Sequence, residues 1–185
     1  ENKNGIVISR GHFETDTAFT HKIDTLLGTA TLPSQIKTAL REKAIRAFNV
    51  QIDSSDKNNL KLDFSIKTKV TSEGLQDFVH SELDESKPFT LVKYNANVGD
   101  KYEFTDKDGN HFVREVTFRS TTDDYPLAFW LIKVIKVEET ITEGPLKDLV
   151  GKITYYTNHK FGLVGVEWTK PDGKVLKITV FPSNL

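Results

Sequence analysis

This chain contains no cysteine and no methionine. Without cysteine there is no disulfide, thiol nucleophile, iron–sulfur cluster or cysteine-built zinc site in it. Long hydrophobic runs are missing too: no stretch nears the ~18 consecutive apolar residues that a spanning helix needs. Nor is there an excess of charge of one sign. The 25 basic and 26 acidic side chains leave a formal net charge of −1. They are spread evenly, 13 against 13 in residues 1–95 and 12 against 13 in residues 96–185. That pattern lacks both the basic footprint of a nucleic-acid binder and an acidic tail.

What is present is a chain of 185 residues, 37% hydrophobic, with 12 Phe. This is enough apolar material for a buried core and too much for a disordered chain. No low-complexity linker divides it, so residues 1–185 read as a single β-rich domain, with residues 1–5 as a polar tether. The first residue is Glu1 rather than Met. A removed signal peptide is one explanation and trimming of the chain is another, and the polar start suits a tether or an ordinary frayed terminus alike. The expectation is an extracytoplasmic protein of the cell envelope or a secreted one, with peripheral membrane association through a removed lipid anchor.

The periodicity is mostly that of strands. Short β-like stretches fall at 7–10 and 13–19. One helix is expected over 33–48, with Pro33 in the first turn, where its missing N–H costs nothing. Ile36, Ala39, Leu40, Ala44, Ala47 and Phe48 share one broad face at 100° per residue, and Leu40 and Phe48 should bury it against the sheet. Residues 48–52 and 60–66 alternate around the turn Asp53-Ser54-Ser55-Asp56-Lys57-Asn58-Asn59 and read as a hairpin. Ser72 could cap a short second helix carrying Leu75, Phe78 and Val79, which Gly74 weakens. A strand follows over 89–94. Tyr102 and Phe104 alternate into the turn Asp106-Lys107-Asp108-Gly109-Asn110, and the return strand carries Phe112, Val116 and Phe118, with Arg114 as its polar intruder. Residues 127–137 begin apolar on both faces, as a central strand covered on both sides would. The chain closes with strands at 153–156, 163–168 and 175–181, the last two joined by Lys170-Pro171-Asp172-Gly173-Lys174.

Few residues suggest chemistry. His12, Asp16, His21 and Asp24 are the densest cluster of possible metal ligands, but a straight strand would separate them, and no His-x-His spacing supports a site. The 106–110 turn has Gly fourth where a calcium loop needs it sixth. Asp123 and Asp124 are adjacent on an extended chain and so point apart. His159 sits in a loop with no Ser or Cys in a nucleophile-elbow context. No metal and no cofactor is expected. The aromatics carry the functional expectation: Tyr125, Phe129, Trp130, Tyr156 and Trp168, with Tyr155 and Phe161 nearby, crowd the second half of the chain. They are the candidate ligand-binding residues, against the plainer reading that they are core.

The run Ile153-Thr154-Tyr155-Tyr156-Thr157-Asn158-His159-Lys160-Phe161-Gly162-Leu163-Val164-Gly165-Val166-Glu167-Trp168, followed by Pro171-Asp172-Gly173, resembles the late meander of bacterial envelope lipoproteins. More loosely, it is similar to the half-barrels of lipoprotein carriers, where a curved antiparallel sheet wraps a helix. The resemblance covers the last quarter of the chain and carries no functional residue with it. It implies an apolar groove between sheet and helix.

The expected fold is therefore mainly β with a docked helix (α+β): a curved antiparallel sheet, half-barrel or sandwich. The expected function is non-catalytic binding of an apolar small molecule, a lipid or another envelope component. The alternatives are a hydrolase using His159 with a carboxylate, and a structural or adhesive module.

Overall fold

The computed structural model describes residues 5–16, 33–56 and 59–180. Antiparallel strands dominate it, in open sheets. In the first sheet, β1 (Ile6–Asp16), β2 (Gln51–Asp56), β3 (Asn59–Val70), β4 (Gly74–Asp77) and β5 (Phe89–Lys93) follow the order β1-β3-β4-β5, with β2 also on β3. Strand β1 is continuous where two short stretches were expected, because Gly11 takes its place in the ladder opposite Phe64. Residues 17–19 lie outside the described residues. The hairpin of β2 and β3 forms with a tighter turn than composition suggested. Its ladder runs through Asp53 to the pair Asp56–Asn59, absorbing the extra residues in a register shift.

The second helix expected from Ser72 is a strand, β4. The physical reason lies at Gly74, whose α-carbon abuts the Val92 backbone so closely that no Cβ would fit. Close antiparallel pairing overrides the weak helical stripe of Leu75 and Phe78, and both side chains are buried from the strand and the turn after it.

Among the described residues there is one helix, α1 (Ser34–Ala47), which begins directly after Pro33, in agreement with the expected 33–48. Its docking differs from expectation. Leu40 and Phe48 are half-buried and belong to neither apolar cluster described below. Ala47 is buried, and ion pairs attach the polar side: Lys43 to Asp106, and Arg46 Nε to Glu82 at 2.9 Å. A face made largely of alanine offers little area, so charge does what bulky anchors would otherwise do. Among the described residues no helix is long and apolar enough to cross a membrane.

The second sheet has six strands. They are β6 (Lys101–Thr105), β7 (His111–Arg119), β10 (Ile135–Glu143), β11 (Lys152–Asn158), β12 (Gly162–Thr169) and β13 (Val175–Thr179), in the order β13-β12-β11-β10-β7-β6. Between β7 and β10 the chain makes a separate two-stranded hairpin, β8 (Tyr125–Leu127) and β9 (Trp130–Ile132). The central strand expected over 127–137 is thus divided among β8, β9 and the start of β10. Leu127 pairs with Trp130, so Ala128 and Phe129 form a two-residue turn, and Ala128 takes φ 53°. A positive φ at the first turn position matches the right-handed twist of the flanking strands.

The 106–110 turn is built by side chains. Asp106 Oδ1 accepts the N–H groups of Asp108 and Asn110, both at 2.9 Å, and Lys43 occupies Oδ2. The 170–174 turn closes as expected: Gly173 has φ 81° and the Lys170 N–H donates to the Lys174 carbonyl at 2.8 Å.

Two apolar clusters result. Leu75, Leu91 and Val92 of the first sheet meet Val116, Val137 and Tyr155 of the second, forming the core between sheets. Leu127, Ile132, Val134 and Val164 form a smaller cluster under the hairpin, flanked by Tyr125, Tyr156 and Phe161.

Candidate functional site

Two regions carry more chemistry than packing requires. The first is buried between the sheets. Arg114 is completely buried; its Nε donates to Glu139 Oε2 at 2.6 Å and its Nη1 to Asp77 Oδ2 at 2.8 Å. The guanidinium lies 3.9 Å from the centre of the Phe89 ring and 5.0 Å from that of Tyr155. His80 Nε2 is 2.9 Å from the same Glu139 oxygen, and its ring stacks on Phe112 at 3.9 Å. Burial alone would raise the Glu139 carboxyl. The charges of His80 and Arg114 and their hydrogen bonds outweigh it and hold the group down at about 2. Burial would lower the Arg114 pKa, but Asp77 and Glu139 raise it above its ordinary value. Burial raises the Tyr155 hydroxyl, with the Glu139 charge adding to it.

A His–carboxylate pair invites a catalytic reading, but Phe89, Phe104 and Phe112 close around His80. The nearest hydroxyl in sequence, Ser81 Oγ, is bonded to the Phe78 and Asp84 carbonyls. The arrangement is suited to joining two sheets. Arg114 stood out in the sequence as an intruder on an apolar face; Asp77, His80 and Glu139 did not. Glu139 alone left a trace, an acid between Val137 and Ile141 in an alternating strand.

The second region is the hairpin of β8 and β9. Tyr125 stacks on Tyr156 with ring centres 5.0 Å apart. The Tyr125 hydroxyl lies over Gly165, where there is no room for a Cβ. Tyr156 donates its hydroxyl to Glu167 at 3.2 Å; burial, with Glu167 beside it, pushes its pKa up to about 12. At the tip the expectation that both faces are covered fails. Phe129 is 101% exposed, Trp130 58% and Leu131 61%. The two-residue turn leaves these side chains beyond the sheet that should have covered them.

Of the five aromatics singled out in the sequence, Tyr125 and Tyr156 thus meet in the hairpin stem, and Phe129 and Trp130 stand at its tip. Trp168 is elsewhere. It pairs with Ile153 while Tyr156 pairs with Gly165, and strand alternation puts those two pairs on opposite faces of the sheet. Its indole N–H donates to the Val150 carbonyl. Leu131 is the tip residue that the aromatic count missed.

His159 is exposed, and among the described residues its ring makes no hydrogen bond or ion pair. Asp123 and Asp124 are exposed, the latter accepting the Ser120 hydroxyl at 2.8 Å. Among the described residues no group of three His, Cys, Asp or Glu side chains could hold a metal. Of the four residues weighed as ligands, His21 and Asp24 lie outside the described residues, and β1 is described at His12 and Asp16 only in its backbone. A depression of about 270 Å³ is lined by residues including Thr71, Glu73, Gly74 and Lys93; another of about 390 Å³ runs along α1. Neither is lined by the candidate aromatics.

No protein-family model, curated protein or solved structure matched this chain.

Proposed function

We propose that the protein is a non-catalytic, extracytoplasmic binding module that takes an apolar ligand or envelope component on the tip of the hairpin of β8 and β9. The observation that carries this reading is the exposure of three consecutive residues, Phe129, Trp130 and Leu131, with Trp130 and Leu131 on opposite faces of β9. Scattered surface hydrophobes are ordinary, whereas three large ones in succession at a hairpin turn are not. The extracytoplasmic placement rests on the resemblance of the closing meander to envelope lipoproteins. The hydrolase alternative has less to draw on, since among the described residues His159 has no carboxylate partner.

The test is a titration of tryptophan emission with monomeric dodecylphosphocholine, alongside a thermal melt. A saturable blue shift with a raised melting temperature is expected, because a ligand that binds only the native state stabilises it. Phe129→Ser should weaken the response. Flat emission and an unchanged melt would overturn the reading.

A further inference from the structure

Resting on that reading of the tip, we infer that its partner is the surface of an anionic lipid bilayer. Phe129, Trp130 and Leu131 enter the interfacial layer, and Lys133, Lys136 and Lys160 meet the headgroup phosphates.

Size argues for this partner over another protein. Specific protein interfaces bury ~800 Å² and ~20–30 residues on each side. Three side chains on a narrow turn fall well short of that. A bilayer needs no matching surface, and Trp, Phe and Leu are the residues that settle at its boundary.

Charge argues for the anionic headgroups. Lys133 follows β9 directly, and its carbonyl accepts Asn158 Nδ2 at 2.7 Å. The same Asn158 accepts the Lys160 N–H through Oδ1, also at 2.7 Å. One asparagine therefore joins the end of the hairpin to the turn bearing Lys160. Lys160 Nζ lies 5.1 Å from the Phe161 ring and Lys136 Nζ 5.3 Å from the Tyr156 ring, and both rings pack against the cluster beneath the hairpin. Among the described residues none of these three ammonium groups is in an ion pair. Two of the neighbouring acids are paired, Glu167 with Lys177 at 3.0 Å and Glu138 with Lys152 at 3.0 Å. Asp124 accepts the Ser120 hydroxyl and stays exposed, as does Asp123. Three ammonium groups outside any ion pair thus stand against two exposed carboxylates around the base of the hairpin, and the tip itself is apolar.

The test uses the full chain carrying Trp168→Phe, checked by circular dichroism, so that emission reports Trp130 alone. It is mixed with vesicles of phosphatidylcholine, and of phosphatidylcholine with phosphatidylglycerol. The expected result is co-sedimentation with the anionic vesicles, a blue shift of Trp130, and quenching by lipid brominated on its acyl chains. Phe129→Ala with Leu131→Ala should weaken binding by at least about tenfold. Lys133→Gln, Lys136→Gln and Lys160→Gln together should remove the preference for anionic vesicles, and added salt should do the same. A blue shift with monomeric dodecylphosphocholine but with neither vesicle would overturn this inference and leave the broader reading standing. No response to either would overturn both. A dimer in sedimentation equilibrium that buries Trp130 without lipid would overturn the bilayer in favour of a second copy.

Discussion

Arg114 of β7 and Asp77 of β4 meet at 2.8 Å across the two sheets, with the guanidinium fully buried. The pair cannot form unless the sheets are stacked, so it reports their mutual position. Glu139 and His80 complete the cluster, so that one guanidinium meets two carboxylates and His80 meets the second of them as well.

Removing that guanidinium should be costly. Arg114→Met keeps the bulk but leaves buried Asp77 without its ion-pair partner and Glu139 with His80 alone, and breaking a buried pair typically costs about 3–5 kcal/mol. Urea denaturation should show a strongly lowered midpoint. By contrast Arg46→Ala, which breaks the half-exposed pair with Glu82, should cost under about 1 kcal/mol. Equal effects from the two variants would show that the buried cluster does not join the sheets.

Acid should weaken the fold by the same route. Glu139 is held at about 2 against an ordinary 4.5. Between those values the unfolded chain binds a proton that the native chain does not. Its contribution is therefore complete above 4.5 and lost as pH falls toward 2. Asp106 and Glu82 are also lowered and act in the same direction, the first through Lys43 and Asn110, the second through Lys107 and Arg46, each against the opposing effect of burial. Denaturation midpoints measured across this window should fall with pH, and more gently in Glu139→Gln. An identical slope in that variant would place the effect elsewhere.

The turn at Ala128 stores backbone strain, since a positive φ costs an L-residue about 1–2 kcal/mol. Ala128→Gly should relieve it, offset in part by the freer unfolded chain, and raise stability by about 0.5 kcal/mol. Ala128→Val should lower it by about 1 kcal/mol or more. A loss of stability in the glycine variant, read from thermal melts, would mean that the turn is held by something other than its dihedral.

Gly165 should tolerate no side chain. A Cβ there would collide with the Tyr125 hydroxyl, and Tyr125 is held against Tyr156. Gly165→Ala should cost about 1–3 kcal/mol by overpacking and shift the Tyr125 ring resonances in an NMR spectrum. Unchanged resonances would show that the stem of the hairpin does not rest on the sheet.

The late meander was legible because period-two alternation and the turn at Pro171-Asp172-Gly173 act locally, and so was α1, whose start is marked by Pro33. Strand β4 was not. Its conformation is imposed by backbone packing at Gly74 against Val92, a contact between distant parts of the chain. The split of 127–137 was hidden for a related reason: Ala128 is not a turn residue by composition, and the geometry imposes φ 53° on it. Apolar character on both faces reads as burial. Here two of the three exposed side chains belong to the candidate aromatics, and Leu131 is the third in the run. The Arg114 cluster was half visible, since alternation shows that a charge enters the core but not which charges from the other sheet meet it.

The stem of the hairpin has a consequence for timing. Tyr125 is seated between Gly165 and Tyr156, and Leu127 and Ile132 are buried below the turn. The backbone that presents Phe129 and Trp130 therefore surrenders its conformational entropy when the chain folds, not when a partner arrives. A loop of the same composition would lose that freedom on binding. Loosening the stem should leave the tip as apolar as before and make it a poorer ligand for whatever it touches.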